Sequence, residues 1–345
     1  MKRFLIIYHS EDNDGVCSAA IVKHYLMTSL NVFEEDIELL PATYNLLNSL
    51  QSQGKVDEWP KEYGHIIMTD ISFNDWKTMK KLHDMFQNNF TWIDHHAPII
   101  ELSKKHKFDD VNGIRDISNS AIYNMYKYLY DPFLEMPVPF IVKMLSAWDS
   151  WTYEREGIDS DVCRKFNRGF TIESGLSVSW YMKIMDVILD RSFTQSDPMS
   201  AIKSHQYLCK IYGDGRTACD REDLDNKEMI RVNGDKSWTV NGIPAIMVVT
   251  TGSTNSMMFK SLQKDAAVRT DEDLRVAIVC KHCNNGSWTI SLYNIYDFGG
   301  DTSDPHYFHC GKYLQENYNG GGHEGAAGCT VTVDKFCNIL KSKQL

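Results

Sequence analysis

The sequence predicts a two-domain α/β protein: a doubly wound parallel-sheet domain, then a smaller α/β domain, with the active site in the cleft between them. Three observations carry this. Apolar runs at residues 4–8, 65–69 and 90–93 feed directly into His9, Asp70 and Asp94, and open α/β sheets gather ligands at the carboxyl ends of their strands. Helical segments alternate with those runs, which implies parallel strands joined by crossover helices. From Lys236 the texture changes to closely spaced short apolar runs.

Each element follows from its local pattern. Residues 4–8 (Phe-Leu-Ile-Ile-Tyr) read as a buried strand. Gly15 to about Ser29 reads as a helix with Val16, Ala19, Ala20 and Val22 on its apolar face. A second strand spans 37–42, where Pro41 ends it, and a third spans 65–69. The next helix, Asn74–Gln87, takes Asn74 as its N-cap, and a fourth strand spans 90–93. Ser118–Tyr130 is an aromatic-rich helix. Its Tyr123, Tyr126 and Tyr130 read as core and surface of that helix rather than as a base-stacking platform. Pro137 opens a helix that runs to Trp148. The first domain thus takes residues 1–175. Residues 176–230 form a helical linker, with helical periodicity at 178–190 and 198–212 and a charged run at 214–228. The second domain, 231–345, has strands at 237–241, 244–250, 275–281 and 287–293 and a helix at Asn255–Gln263. Asn284-Asn285-Gly286 marks a hairpin turn, and a Gly-rich loop at 320–328 precedes a final amphipathic element.

Composition narrows the function. The chain has 345 residues, 43% hydrophobic and 24% charged, which excludes a disordered chain. No apolar run approaches the ~18 residues of a membrane span. The first apolar run stops at His9 instead of continuing as a signal peptide, so the expectation is a cytoplasmic protein with no membrane partner. The formal net charge of −10 argues against binding long duplex nucleic acid, which needs many Lys and Arg contacts to phosphate. It is compatible with a short nucleotide held through cations. Nine cysteines, an odd number in a long chain, argue against a disulfide framework and for buried thiols.

The stretch Thr91-Trp92-Ile93-Asp94-His95-His96 carries the most chemistry. A carboxylate and two imidazoles at a buried strand end need partners, and a divalent metal is the most economical one. His9, Asp12, Asp14, Asp70 and Asp149 supply further donors. Oxygen and imidazole ligands without thiolate suit Mn²⁺ or a similar metal. Four carboxylates are too many for one ion and fit two ions about 3.5–4 Å apart with one carboxylate bridging. Such a pair acidifies water and clamps phosphoryl oxygens. Singly, Asp12 or Asp70 reads as a cap or turn residue, His95-His96 as a loop pair and Asp94 as structural; the joint pattern points to metal. The second motif is Gly320-Gly321-Gly322-His323-Glu324-Gly325-Ala326-Ala327-Gly328. Its glycines let backbone amides approach an anion, and the small residues after them can start a helix whose N-terminus attracts phosphate. His323 would add a donor.

These residues, in this order, resemble the DHH phosphoesterase superfamily, and the resemblance covers both halves of the chain. Asp12-Asn13-Asp14-Gly15, Asp70, Asp94-His95-His96 and Asp149 match its four N-terminal motifs. Gly320 to His323 with Ala326-Ala327-Gly328 matches the signature of its associated C-terminal domain. The resemblance implies two Mn²⁺ per chain, with Mg²⁺ or Co²⁺ as substitutes. His9, Asp12 and Asp70 would hold one ion; Asp14, Asp70, His95 and Asp149 would hold the other. His96 would contact the scissile phosphate and assist as acid, Asp94 would orient its neighbours, and Gly320, Gly321, Gly322 and His323 would bind substrate.

The implied reaction is hydrolysis of phosphodiester bonds in short oligonucleotides or cyclic (di)nucleotides, of the nanoRNase kind. The alternatives are a RecJ-like single-strand exonuclease and a non-catalytic nucleotide sensor on the same fold. A homodimer is compatible with either. Three features depart from the family pattern. His9 stands three residues before Asp12, where exonuclease-like members often have two. Ser291-Leu292-Tyr293 stands where many members carry a Ser-Leu-Arg run. Phe298–Phe308 reads as an insertion. Cys280 and Cys283 have the spacing of half a zinc site, with His306, His309 or Cys310 as remote partners, but no second Cys-x-x-Cys completes it.

Overall fold

Alternation in the first strand sets the architecture. Phe4, Ile6 and Tyr8 enter one hydrophobic cluster, while Leu5 and Ile7 enter another. A strand buried on both faces belongs inside a parallel sheet covered on both sides. The computed structural model describes residues 3–131, 136–192, 197–251, 258–259, 262, 273–283, 286–295, 308–322 and 324–345. The chain divides into two compact units, Met1–Cys219 and Asp220–Leu345.

The first unit contains, in chain order, β1 (Arg3–His9), α1 (Asn13–Thr28), β2 (Ile37–Ala42), α2 (Tyr44–Ser52), α3 (Trp59–Glu62), β3 (Tyr63–Thr69), α4 (Trp76–Phe86), β4 (Phe90–Ile93), α5 (Ala97–Lys105), α6 (Ala121–Tyr130), α7 (Phe140–Asp149), α8 (Ser160–Ser174), α9 (Val178–Lys183), α10 (Met185–Ile188) and α11 (Pro198–Ser204). The strands pair in parallel in the order β2-β1-β3-β4. On one face, α2 to α5 bury Leu47, Trp59, Met79, Leu82 and Ile99 against Leu5 and Ile7. On the other, α1 and α6 to α11 bury Val16, Ile122, Met144, Phe166 and Tyr181 against Ile6 and Tyr8. This is the doubly wound sheet that the sequence predicts. The chain leaves β1 for β2 on one side and β3 on the other, so the strand order reverses between β1 and β3. Open α/β sheets bind ligands in the crevice at the carboxyl ends of such a pair.

Several elements differ from expectation. Asp75, not Asn74, caps α4, its Oδ1 accepting from Lys77 N at 3.1 Å. The helix expected from Ser118 begins at Ala121, and the one expected from Pro137 begins at Phe140 with Pro139 as N-cap. Residues 178–190 break into α9 and α10 at Ile184, and 198–212 break at His205. Much of the segment expected as a linker is core: Val178, Tyr181, Ile188, Ile202 and Ile211 lie in the same cluster as α1. The charged run 214–228 belongs to one long helix, α12 (Gln206–Asn233). The pairs Lys210–Asp214 (2.9 Å) and Arg221–Asp225 (3.4 Å) lie along it at i,i+4 spacing, which supports a polar helix locally.

The second unit is built on β5 (Asp235–Val240), β6 (Ile243–Val249), β7 (Val276–His282), β8 (Trp288–Asn294), α13 (Cys310–Tyr318), β9 (Gly321–Gly322), β10 (Ala326–Val331) and α14 (Val333–Ser342). Its sheet runs β5-β6-β7-β8-β10-β9, with β6 and β7 parallel and the other pairs antiparallel. Leu314 of α13 and Phe336 and Ile339 of α14 pack on the face that carries Ile278, Ile290 and Cys329. The residues after the three glycines continue as strand β10, and the next helix starts only at Val333. The expected glycine loop opening a helix is therefore a two-strand turn, because Ala327 and Cys329 are needed for the sheet core. Most of the expected helix at Asn255–Gln263, the turn residues Asn284 and Asn285, and most of the Phe298–Phe308 segment lie outside the described residues.

Candidate metal centre

Every ligand position predicted in the first unit sits at a strand end, a helix start or a helix end. β1 ends at His9, and Asp12 caps α1, its Oδ1 accepting from Gly15 N at 2.9 Å. The plain reading of Asp12 as a cap is therefore physically present, yet its Oδ2 also lies 3.4 Å from His9 Nε2. Gly15 makes this corner possible: a Cβ there would lie 2.2 Å from the His9 carbonyl oxygen. Asn13 locks the first turn of α1, donating to the Asn167 carbonyl (2.9 Å) and Thr171 Oγ1 (2.9 Å) and accepting from Tyr181 OH (2.6 Å).

Asp14, 2% exposed, accepts from Ser120 Oγ at 2.6 Å and from Ala121 N and Ile122 N at 2.8 Å each. It thereby satisfies the free N–H groups that open α6. Asp70 follows β3 with φ +58°. That is a left-handed conformation costly for a non-glycine residue, and it is held where the surroundings over-determine it. Its N–H donates to the Ile93 carbonyl at 3.0 Å, fastening it to the end of β4.

His95 is the hub. Its Nε2 lies 3.1 Å from Asp70 Oδ1, 3.3 Å from Asp149 Oδ2 and 3.9 Å from Asp14 Oδ2. Asp149 comes from the last residue of α7. Among the described residues, two groups of three have donor atoms within 4.8 Å of one another: Asp70, His95 and His96, and Asp14, His95 and Asp149. Asp94 is fully buried. Its Oδ2 accepts from Trp92 Nε1 at 2.9 Å, and its Oδ1 accepts from His95 N (2.7 Å), His96 N (3.1 Å) and His96 Nδ1 (2.7 Å). These contacts fix the direction of the His96 imidazole and hold the His95–His96 backbone.

The electrostatics follow from crowding. Burial, then the carboxylates of Asp14, Asp12, Asp149 and Asp94, push Asp70 well above the usual carboxylate range. Desolvation, then Asp14 and Asp12, does the same for Asp149. Asp12 is raised mainly by desolvation, against the pull of His9. Desolvation lowers His95. For His96 burial opposes charge, but the hydrogen bond and charge of Asp94 outweigh it and the imidazole is raised. Desolvation also works against the Asp94 anion, and the His96 contacts outweigh it, so Asp94 is lowered. So many like charges in one small volume require either protons or cations. Among the described residues His9 Nδ1 is buried with no hydrogen-bond partner. The oxygen and imidazole donors, the crowding and this orphaned nitrogen all fit a divalent cation.

Tyr44, at the start of α2, was not singled out by sequence. Its ring centroid lies 6.1 Å from that of His9 and 6.5 Å, edge-on, from that of His96. Ser120, Asn13 and Trp92 were likewise missed as supports; only the fold brings Ser120 and Asn13 to their partners. Gly320, Gly321 and Gly322 lie in the second unit, and His323 lies outside the described residues. The zinc spacing resolves differently. Cys280 is 2% exposed in the sheet core and Cys283 Sγ lies 3.1 Å from Thr289 Oγ1. His309 caps α13, its Nδ1 accepting from Lys312 N at 3.1 Å, and Cys310 is buried. Among the described residues none of these four belongs to a metal-capable group.

No family model matches the chain, and no curated protein matches it in sequence. Solved structures do resemble it. A DHH domain from a member of a family of ribosomal proteins aligns at TM-score 0.56 and 14% identity, over 99% of this chain and 85% of that one. A pGpG-specific phosphodiesterase from Vibrio cholerae aligns at TM-score 0.46 and 12% identity, over 99% and 97%. The exonuclease RecJ bound to manganese aligns at TM-score 0.45 and 14% identity, over 99% and 89%. The first of these shows the fold.

Proposed function

We propose that this chain, which has the DHH-domain fold, is a metal-dependent phosphoesterase that cleaves phosphodiester bonds in short oligonucleotides or cyclic (di)nucleotides. One observation carries the reading: three carboxylates from three elements converge on His95 Nε2, beside an imidazole whose orientation Asp94 fixes. His9, Asp12 and Asp70 would hold one ion, and Asp14, Asp70, His95 and Asp149 a second, with Mn²⁺ the best match to these donors. Two such cations supply Lewis acidity toward phosphoryl oxygens and lower the pKa of water.

The remaining chemistry belongs to the side chains. Asp94 accepts from His96 Nδ1 and so leaves Nε2 as the nitrogen for proton transfer to a leaving oxygen. Asp14 is held by the start of α6, so its carboxylate is positioned before any ion arrives. The net charge of −10 favours short substrates over long strands. The complete donor set favours a catalyst over a sensor that merely retains the fold.

The test is product analysis with Mn²⁺ and a panel of dinucleotides, cyclic dinucleotides and cyclic mononucleotides. Chelator-sensitive cleavage of at least one is expected. No turnover of any, at saturating Mn²⁺, overturns the reading.

A further inference from the structure

We propose that the Tyr44 hydroxyl binds substrate at this centre, donating a hydrogen bond to a non-bridging phosphoryl oxygen; the assignment rests on the phosphoesterase reading. The placement comes from the fold. β2 ends at Ala42, on the same sheet edge as His9, Asp70 and Asp94. Thr43 then caps α2, its Oγ1 accepting from Leu46 N at 3.2 Å, which sets Tyr44 as the first helical residue. Its ring touches both histidine groups of the site, that of His9 beside Asp12 and that of His96 beside Asp94.

The hydroxyl is uncommitted. Among the described residues no hydrogen-bond partner is found for it. Of the carboxylates nearby, Asp94 is already engaged, taking four donors. A phenol ordinarily titrates near pH ~10, so at neutral pH the hydroxyl is a donor. The residues named for this centre include no lysine or arginine. A phosphoryl group entering so acidic a site needs every donor it can find besides the cations, and a neutral phenol supplies one without adding charge.

Tyr44→Phe tests the idea because it keeps the ring and removes only the hydroxyl. Three measurements are made on the Mn²⁺-loaded protein: metal content, calorimetric affinity for a hydrolysis-resistant methylenephosphonate dinucleotide, which keeps both non-bridging oxygens, and kcat/KM for the best panel substrate. The expected result is unchanged metal content and melting temperature, with both affinity and kcat/KM lowered about 10- to 100-fold, the range for a hydrogen bond to a charged acceptor. Unchanged affinity overturns the assignment. So does loss of metal, which would make Tyr44 a support for the ligands. If the wild type turns over nothing yet binds the analogue in a Tyr44-dependent way, the phosphoesterase reading fails and the Tyr44 assignment stands. A wild type that binds no analogue overturns both.

Discussion

Asp94 and Asp70 show how differently two buried carboxylates are kept. Asp94 has an ordered set of donors; Asp70 sits among other carboxylates with His95 Nε2 at 3.1 Å. Asp94 is lowered in the fold, so its stabilisation is present above the unfolded value of about 3.9 and is lost as pH falls through the folded value. His96 is raised, so its stabilisation is present below the unfolded value of about 6.5 and is lost as pH rises through the folded one. The pair contributes most between those limits. In chelator, Asp94→Asn should therefore cost about 1–3 kcal/mol near pH 5–6 and less at alkaline pH. Thermal melts of both proteins from pH 4 to 9 check this, and a cost that grows toward pH 9 contradicts it. Asp70→Ala is expected to be the most damaging single change to metal content, because Asp70 is assigned to both ions. If elemental analysis finds full Mn²⁺ occupancy in Asp70→Ala and not in Asp14→Ala, the bridging role belongs elsewhere.

At the scale of elements, the corner between β1 and α1 is the most constrained part of the site. Gly15→Ala would drive a Cβ to 2.2 Å from the His9 carbonyl oxygen, backbone that cannot swing aside. The start of α1 must then move, carrying Asp12 and Asp14 with it. The expected result is about 1–3 kcal/mol of lost stability together with weakened metal binding. Gly213→Ala is the contrast: no atom lies within 4 Å of its added Cβ, and it sits inside α12. It should stabilise by up to about 1 kcal/mol and leave metal binding alone. Denaturant titration and metal analysis of the two variants decide the matter; equal effects would mean that the β1–α1 corner is not special. Element boundaries also show where reading the sequence stops. Asp75 outcompetes Asn74 as cap because its carboxylate reaches Lys77 N. The Asn241-Gly242 turn, with φ +50° and +78°, joins β5 and β6 as Asn-Gly commonly does.

For the whole molecule, binding to the native state stabilises whatever region supplies the ligands. All the assigned ligands lie in residues 1–219. Hydrogen exchange with and without Mn²⁺ should therefore show gained protection within that unit, around β1, β3, β4 and the start of α6. Protection gained only in 220–345 would place the ions elsewhere. Thiol reactivity offers an independent check on the cores of both units. Burial pushes the thiols of Cys163, Cys280 and Cys310 up to about 12 and that of Cys329 to about 11, and Cys17 is raised well above its ordinary value. Cys209 and Cys337 are exposed, and hydrogen bonds from Thr289 and Ser287 lower half-exposed Cys283. Alkylation of the native protein near pH 8, read by mass spectrometry, should mark Cys209, Cys283 and Cys337 and spare the six buried cysteines, Cys219 among them. Early labelling of Cys280 or Cys329 would mean that the second unit's sheet is not packed as described.

The sequence by itself determined the doubly wound sheet, because continuous apolar runs, the helical segments between them and the strand-to-ligand junctions are local signals carried by consecutive residues. It also marked His9, Asp12, Asp14, Asp70, His95 and Asp149 as candidate donors, since each stands at the end or start of an apolar element. Only the tertiary structure decided which donor faces which. The distances from His95 to Asp14, Asp70 and Asp149 depend on three helices and strands meeting at one crevice. The same holds for the supports. Trp92 reaches Asp94 across two residues of one strand end, but Ser120 reaches Asp14 across 106 positions and Tyr181 reaches Asn13 across 168. No local pattern marks those partners, because a hydrogen bond between distant segments leaves no periodicity in either. Residues 176–230 read as a linker for a related reason. Before α12 their apolar residues sit in short, interrupted helices with no strand among them, and they become core only when α1 supplies the other half of the contact.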